Sequence, residues 1–161
     1  ASSTERMRID SAGAVTKPTT PAFSAYPSAN ATNVTGNGTV HTPNWATEIF
    51  DQGGDLSGTT FTAPVTGRYQ FNVTIYIYNM SATPTLILVN LVASNRTFEM
   101  ARITDGAINL TQITIPGSAL VDMDAADTVT VQVTVNGEGA DTTNVAGGSA
   151  PHTHFSGFLA C

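Results

Sequence analysis

The chain has 161 residues, of which 41% are hydrophobic and only 11% are charged, and its formal net charge is −6. This length suits one domain with a buried core, and the negative charge argues against nucleic acid as a partner. No run approaches the roughly 18 apolar residues of a membrane span, so membrane insertion is not expected. The single cysteine, Cys161, excludes an intramolecular disulfide, and the low charge predicts that some surface is hidden in an oligomer.

The first 20 residues differ from the rest of the chain. They include three of the six basic side chains, at Arg6, Arg8 and Lys17, and they lead into Pro21 through the sequence KPTTP at 17–21. Prolines at this spacing interrupt secondary structure. Residues 1–20 are therefore predicted to lie outside the core and to form a stalk end or a linker.

From residue 20 onward the sequence predicts strands only, separated by short segments rich in Gly, Pro, Asn and Asp. A turn is predicted at 116–118, and the stretch 136–151 is predicted to be a long loop without secondary structure. Many short strands with such turns are typical of a β-sandwich or jelly roll. The predicted strands cover residues 22–26, 39–50, 58–62, 68–78, 85–93, 97–103, 109–115, 119–122, 128–135 and 152–160.

Two strands show clear alternation of side chains. The odd positions from Tyr69 to Ile77 are all apolar and are expected to face the core, while the even positions end in Tyr76 and Tyr78. In the last strand, Gly157 interrupts the inward-facing row. A glycine within a strand indicates that a ring or another backbone passes close to it, and Gly67 is expected to allow a tight bend after Pro64. Trp45 is expected to be buried or at a subunit edge.

Five short motifs occur in a fixed order: AFSA at 22–25, EIFD at 48–51, FTAPVTGRYQF at 61–71, VDMDAADTV at 121–129 and FSGFL at 155–159. Together they resemble the C1q-like domain of the C1q and tumour-necrosis-factor superfamily, although Ala126 stands where that family usually has glycine. The resemblance implies an all-β, ten-stranded jelly-roll sandwich of the C1q/TNF type, homotrimeric, over residues 21–161.

The resemblance also implies how the three subunits meet. In the family, the strand that corresponds to residues 68–78 lies in an inner sheet whose other face contacts the neighbouring subunits. Aromatic and apolar side chains left exposed on that face would be covered by assembly around a threefold axis. The residues expected at the trimer interface are Tyr76, Tyr78, Leu110, His154 and Phe158.

The segment ERMRIDSAGAV at 5–15 resembles a unit repeated in the stalks of bacteriophage tail fibres, directly before a distal head. The two resemblances imply a receptor-binding tip of a viral tail fibre, located on the virion at the distal end of the fibre. Its expected partners are the other copies of the homotrimer, other tail-fibre segments, and a host cell-surface glycan or protein. Two alternatives are a structural trimerisation cap of the fibre and a cellular C1q-like adhesin.

The loops at the apex, away from the stalk, are the expected receptor-binding region. The stretch 136–151 is rich in small polar side chains that suit hydrogen bonds to sugar hydroxyls, and long loops of this kind are often functional. The candidate receptor-binding residues are Tyr76, Tyr78, Asn79, Thr104, Asp105, Asn136, Glu138, Asp141, Thr142 and Asn144.

No catalytic motif is present in the sequence, so an enzyme is not expected, and no cofactor is predicted apart from two alternative divalent metal sites. His152 and His154 could form a ring around a threefold axis and bind a transition ion. Asp105, Glu138 and Asp141 could instead contribute to a calcium site, which needs about six to eight oxygen ligands. Interface packing for His154 and solvated loop positions for the other residues are the simpler interpretations.

Overall fold

A computed structural model describes residues 5–81, 84–104, 110–148 and 150–161. Over these residues the chain forms fifteen β-strands and no helix. Accordingly, the described residues form no helix long and apolar enough to cross a bilayer. A small hairpin of β1 (Arg8–Ile9) and β2 (Val15–Thr16) precedes a sandwich of two antiparallel sheets. The predicted all-β jelly-roll sandwich is confirmed.

One sheet, called the inner sheet here, contains the long strand β9 (Gly67–Tyr78), whose side chains show the alternating pattern. A short additional pair, β14 (Thr143–Val145) and β4 (Ala31–Thr35), continues this sheet, because β14 pairs with Ile77 and Tyr78 at the far end of that long strand. The main path runs, in spatial order, through β12 (Gln112–Met123), β9 (Gly67–Tyr78), β15 (His154–Leu159), β3 (Ala22–Tyr26) and β6 (Thr47–Gln52).

The second sheet, called the outer sheet here, has six strands, five of which lie on one path, whereas the inner sheet has seven. The short strand β5 (Val40–His41) pairs with the middle of this sheet at Val133 and Thr134. In spatial order the path is β11 (Thr97–Thr104), β10 (Leu86–Ala93), β13 (Thr128–Asn136), β8 (Thr60–Thr62) and β7 (Leu56–Ser57).

The core lies between the sheets, and β9 contributes the row predicted from its sequence. Its odd positions from Tyr69 to Ile77 are all at most 2% exposed. Gly157 of β15 confirms the prediction of close packing, because a Cβ there would lie 2.7 Å from the Phe71 ring and 2.8 Å from the Phe23 ring. The bend predicted after Pro64 is confirmed at residues 64–66, between β8 and β9, but Gly67 does not form it: this residue begins β9, and a Cβ there would lie 2.6 Å from Leu159.

The turn predicted at 116–118 is also wrong, because β12 is one continuous strand of 12 residues along the whole of β9. Pro116 lies opposite Thr74, and proline is tolerated there because β12 is at the edge of its sheet. Gly117 is required for packing rather than for a turn, since a Cβ would lie 2.9 Å from Met100 Cβ of β11.

The single strand predicted over 39–50 is two strands in different sheets. β5 belongs to the outer sheet and β6 to the inner sheet, so the chain crosses between the sheets through residues 42–46. Pro43 and Trp45 lie in this crossing, and Trp45 is buried as expected, at 1% exposure, with its ring centroid 5.3 Å from that of Phe155. Apolar character in this segment therefore marks a crossing over the core rather than one strand.

The stretch 136–151 is not structureless. It contains β14, whose three residues are all buried, and β14 pairs with both β9 and β4. The strand β4 was not predicted either. Both strands are short and rich in Thr and Asn, so their sequences resemble those of loops, and it is the tertiary contacts that make them strands.

The amino-terminal hairpin lies outside the sandwich and its described residues are exposed. The carboxylate of Asp10 closes its turn by accepting hydrogen bonds from the N–H groups of Ala12 and Ala14, both at 2.9 Å. The following linker meets the sandwich where Gln52 donates to the carbonyl of Lys17 at 3.0 Å. We call this end, where β9 begins, the base, and the opposite end, where β9 finishes at Tyr78, the apex.

Candidate functional site

The outward face of strands β3, β9, β12 and β15 of the inner sheet, called the open face here, carries no carboxylate, lysine or arginine over most of its length. The only charged pair on β9 and β12 lies at the base, where Arg68 faces Asp122. Above that pair, the open-face positions of four adjacent strands are neutral. They are Ala22, Ser24 and Tyr26 of β3; Gln70, Asn72, Thr74, Tyr76 and Tyr78 of β9; Gln112, Thr114, Pro116, Ser118 and Leu120 of β12; and His154, Ser156 and Phe158 of β15.

Two large apolar side chains lie exposed on this open face in one row. The register aligns Phe158 with Gln70 and Gln70 with Leu120, and the two apolar residues are 46% and 53% exposed. Phe50 of β6, opposite Ser24, adds a third exposed apolar side chain at the side of the sheet. Water contact with apolar surface of this size is unfavourable, so this part of the open face is suited to cover by another protein surface.

The structure places the residues predicted for a trimer interface along the same face, at different heights. Phe158 lies near the base, and His154 is half-buried in the middle of the sheet, opposite Thr74. Tyr76 and Tyr78 lie at the apex, and Leu110, 36% exposed, precedes the start of β12 at that end. These positions agree with the prediction of a shared face, and the trimer itself remains a proposal.

The two apical tyrosines form a stacked pair. Their ring centroids are 5.8 Å apart with an angle of 27° between the planes, and Tyr76 donates from its hydroxyl to Gln112 Oε1 at 2.5 Å. The His152 ring meets the Tyr76 ring edge-on at a centroid distance of 5.6 Å. Three rings are thereby gathered at the top of the open face.

A depression of about 350 Å³ lies beside these rings. Its lining includes residues of the segment between β14 and β15, two strands that both pair with β9; the described residues 147–148 and 150–152 of this segment are called the excursion here. Asn30 supports the excursion by accepting a hydrogen bond from Gly147 N–H at 2.9 Å. The residues that line the depression are Asn30, Tyr76, Tyr78, Ala146, Gly147, Ala150 and His152.

Several of the predicted receptor-binding residues do lie together in the apical loops. Asn79 donates from its amide to the carbonyl of Thr142 at 2.9 Å, and the Glu138 carboxylate accepts from Ser81 N–H. Thr104 and Asn136 lie in register on either side of Leu86, in β11 and β13. Asp105 lies outside the described residues.

Asp141 has a local role that the sequence did not indicate. Its carboxylate accepts hydrogen bonds from the Thr39 hydroxyl at 2.6 Å and from Asn37 N–H at 2.9 Å. These bonds stabilise the charged form and lower the pKa of Asp141 below its ordinary value, with the Thr39 hydroxyl as the larger cause. The carboxylate therefore ties the loop after β4 to the loop before β14.

The prediction that Asn144 is available to a receptor is wrong. Asn144 is only 8% exposed, it pairs with Tyr78 in the sheet, and its side chain accepts a hydrogen bond from Asn33 N–H at 2.8 Å. It was predicted as a loop residue because β14 was not recognised. Its role is to join β4 to β14 beneath the apical surface.

The described residues of one chain contain no cluster of three or more His, Cys, Asp or Glu that could hold a metal ion. Glu138 and Asp141 are each engaged by separate backbone or hydroxyl donors, as described above. His152 lies before the start of β15, against Tyr76, and His154 lies within that strand. A metal site made from histidines of three chains remains a prediction.

Comparison with known proteins identifies the family. The C1q domain family matches residues 22–160. The chain belongs to the C1q domain family. Among solved structures, this C1q domain is similar to the globular domain of the zebrafish complement 1qA protein, with 15% identity, a TM-score of 0.60, and coverage of 88% of this chain and 98% of that chain.

The C1q domain is also similar to murine APRIL at pH 8.5, with 15% identity, a TM-score of 0.55, and coverage of 87% of this chain and 98% of that chain. Identities this low establish the fold alone, which is the C1q/TNF-type jelly roll predicted from the five motifs. No curated protein matches the sequence.

The sequence did not indicate that Asn30, Gly147 and Ala150 take part in an apical depression. Asn30 precedes the unpredicted β4, and the other two lie in the excursion between β14 and β15. The one local signal is the Gly147-Gly148 pair shortly before Pro151, which marks an irregular backbone but not a ligand-binding surface.

Proposed function

We propose that this C1q domain is the trimeric head at the tip of a bacteriophage tail fibre and that it attaches the virion to a host cell-surface structure. The observation that carries the proposal is the joining of a stalk-like segment, ERMRIDSAGAV, to the base of a C1q head. The head acts by binding, and affinity is multiplied because three copies per fibre and several fibres per particle engage together.

The open face supports assembly of three copies. It lacks formal charge above the Arg68–Asp122 pair and carries exposed Phe158 and Leu120 in one row. Interface cores are depleted in charged residues and enriched in aromatic ones, which is the composition of this face. Association through it would remove the apolar row from water.

The position of the linker supports the proposed direction of the head. Lys17 contacts Gln52 at the base, so a stalk formed by the preceding residues leaves from that end. The apical loops that contain Asn79, Glu138 and Thr142 lie at the other end of β9. A fibre that ends in this head would therefore present the apical loops first to a host surface.

The first test is assembly of the 161-residue chain. We expect light scattering after size exclusion to give the mass of three chains, and we expect Phe158→Asp and Leu120→Asp to lower it toward one chain, because each places a charge in the apolar row. Val65→Asp is the matched control, since Val65 is 45% exposed but lies outside the open face. A monomeric wild-type head would contradict the proposed trimer.

The second test is competition for host cells. The purified wild-type head is expected to block adsorption of the virus, and the two monomeric variants are expected to block it far less, because their avidity is lost. A trimeric head that fails to compete would instead act as a structural cap of the fibre. Binding to cells without any associated virus would favour the cellular adhesin.

A further inference from the structure

We infer that the apical depression beside Tyr76 and Tyr78 is a binding site for a neutral saccharide. This inference rests on the proposed attachment function, because the saccharide would be part of the host structure that the head recognises. It extends that function by naming the chemical class of the ligand and the surface that holds it.

The aromatic floor provides the apolar contact that a sugar ring needs. Tyr76 and Tyr78 occupy alternate positions of one strand, so both rings lie on the same side, and their planes differ by only 27°. Nearly parallel rings with centroids 5.8 Å apart are too close to lie side by side in one plane, so they stack with an offset and leave an outer ring face of the pair. The C–H groups on one side of a pyranose pack well on such a face, while its hydroxyls stay at the periphery.

The rim provides neutral hydrogen-bonding groups around that ring face. Asn30 uses its carbonyl oxygen for Gly147 N–H, which leaves its amide N–H groups directed to other partners. Tyr78 and His152, whose side chains carry a hydroxyl and an imidazole, also line the depression. Donors and acceptors of these types match the mixed donor and acceptor character of sugar hydroxyls.

The lack of charged side chains among the described lining residues favours a neutral saccharide over charged ligands. Among the described residues that line the depression, none is a carboxylate, lysine or arginine, so they provide neither the cation that a phosphate, sulfate or sialic acid would require nor an anion for an amine. The volume of about 350 Å³ is at the lower end of the roughly 300–1,000 Å³ range of ligand pockets, which suits a short saccharide.

The depression is held in shape before any ligand arrives. Ala146 N–H donates to the carbonyl of Tyr76 at 2.9 Å, and Tyr76 N–H donates to the Thr153 hydroxyl at 3.0 Å. These bonds fix both ends of the excursion to the same residue of β9. A site with a fixed backbone loses less conformational entropy on binding, which favours recognition of a small polar ligand.

The site is compatible with assembly through the open face. The apolar row at Phe158 and Leu120 lies near the base, whereas the tyrosines lie at the apex with the excursion standing beside them. An interface centred on the basal row would leave the rings open to a ligand that approaches from the apex.

The test uses the complete 161-residue chain on an array of oligosaccharides, with neutral hexose and N-acetylhexosamine chains in one set and sialylated or sulfated chains in another. We expect binding to the neutral set, confirmed by titration calorimetry with the best neutral oligosaccharide. Tyr78→Ala should weaken that affinity about tenfold or more, which corresponds to about 1.4 kcal/mol, while Tyr78→Phe should retain most of it.

Two further variants separate binding from folding. Asn30→Asp preserves an acceptor for Gly147 N–H but removes the amide donor and adds a charge, so we expect an unchanged melting temperature with weakened binding. Tyr26→Ala removes a half-buried tyrosine that also lies on the open face but does not line the depression. It should leave the affinity unchanged.

The inference is overturned if the array shows only acidic glycans or none, or if Tyr78→Ala binds like the wild type. It is also overturned if Tyr76→Ala or Tyr78→Ala dissociates the trimer, because the rings would then belong to the interface. A wild-type head that blocks adsorption but binds no neutral glycan preserves the proposed function and removes only the saccharide site. A head that binds neutral glycan without blocking adsorption preserves the saccharide site and removes the proposed attachment function.

Discussion

The two ends of the sandwich are stabilised by different kinds of interaction. At the base, aromatic rings from both sheets fill the core: the Phe23 ring centroid lies 4.9 Å from that of Phe155 and 6.3 Å from that of Phe71. Phe61 lies 5.5 Å from Tyr69 and 5.4 Å from Phe71. The base is therefore a packed cluster of rings around Gly157.

At the apex the inward-facing side chains are aliphatic, and side-chain hydrogen bonds connect the short strands and loops. Thr35 is fully buried, and its hydroxyl accepts from Val135 N–H at 2.8 Å and donates to the Thr39 carbonyl at 2.7 Å. Asn144 and Asp141 bind backbone N–H groups of the segment that contains β4. Directional bonds of this kind fix particular loops rather than a general core.

The difference shows how one domain can combine a common fold with an individual binding surface. The motifs that resemble the C1q-like domain, FTAPVTGRYQF and FSGFL, supply the packed rings of the base. The candidate binding residues lie in the apical segments held by local polar bonds. Changes at the base should therefore affect the whole fold, and changes at the apex should affect loops and binding first.

The largest effect is expected for Gly157→Ala. The new Cβ would lie within 3 Å of ring atoms of Phe71 and Phe23, so the rings or the strand must shift. Overpacking of a core typically costs about 1–3 kcal/mol, and we expect a loss of this size in the free energy of unfolding measured with denaturant.

Ser156→Ala is the matched control for Gly157→Ala. It changes the neighbouring residue, whose side chain points to the open face instead of the core, and its effect should stay within about 0.5 kcal/mol. Equal stability of Gly157→Ala and the wild type would show that the ring cluster at the base is loosely packed, against the comparison drawn above.

The sequence predicted the base better than the apex, and the reason lies in the range of the interactions. The alternation in β9 and the glycine within β15 are local patterns that report directly on burial, and both predictions are confirmed. Pro116 and Gly117 were misinterpreted as a turn because an edge position and the approach of Met100 are tertiary features. The strand β14 was missed because its partners are distant: Asn33 and Asn144 are 111 residues apart.

An intermediate effect is expected from acidification, and it should appear at the apex. His41 in β5 is half-buried, and burial lowers the pKa of its imidazole below the ordinary value of 6.5. Below about pH 6.5 the unfolded chain then binds more protons than the folded chain. The stability that depends on neutral His41 is present above that pH and is lost as the pH falls.

The measurement is the melting temperature of wild type and His41→Gln at several values between pH 7.5 and pH 5. We expect the decrease on acidification to be smaller in the variant, with amide hydrogen exchange rising first in β5 and β13. His152→Gln removes an exposed imidazole and serves as the control. Identical pH profiles for His41→Gln and the wild type would refute the role of His41.

The smallest effect is expected at the base, from Ala126→Gly in the turn between β12 and β13. Ala126 has φ of +73°, a left-handed conformation that costs a residue with a Cβ roughly 1–2 kcal/mol. Glycine removes this strain but also increases the entropy of the unfolded chain, an opposing effect of about 0.4–1 kcal/mol. The net result should be a stabilisation of roughly 0–1.6 kcal/mol.

Ala125→Gly is the matched control, because the adjacent Ala125 does not have a positive φ and glycine relieves no backbone strain there. It should lower the free energy of unfolding by about 0.4–1 kcal/mol, because only the unfolded-state effect remains. The difference between the two variants isolates the backbone strain at Ala126. If both variants are destabilised equally, the turn has no strain to release, and the alanine found where the C1q-like family usually has glycine is without consequence for stability.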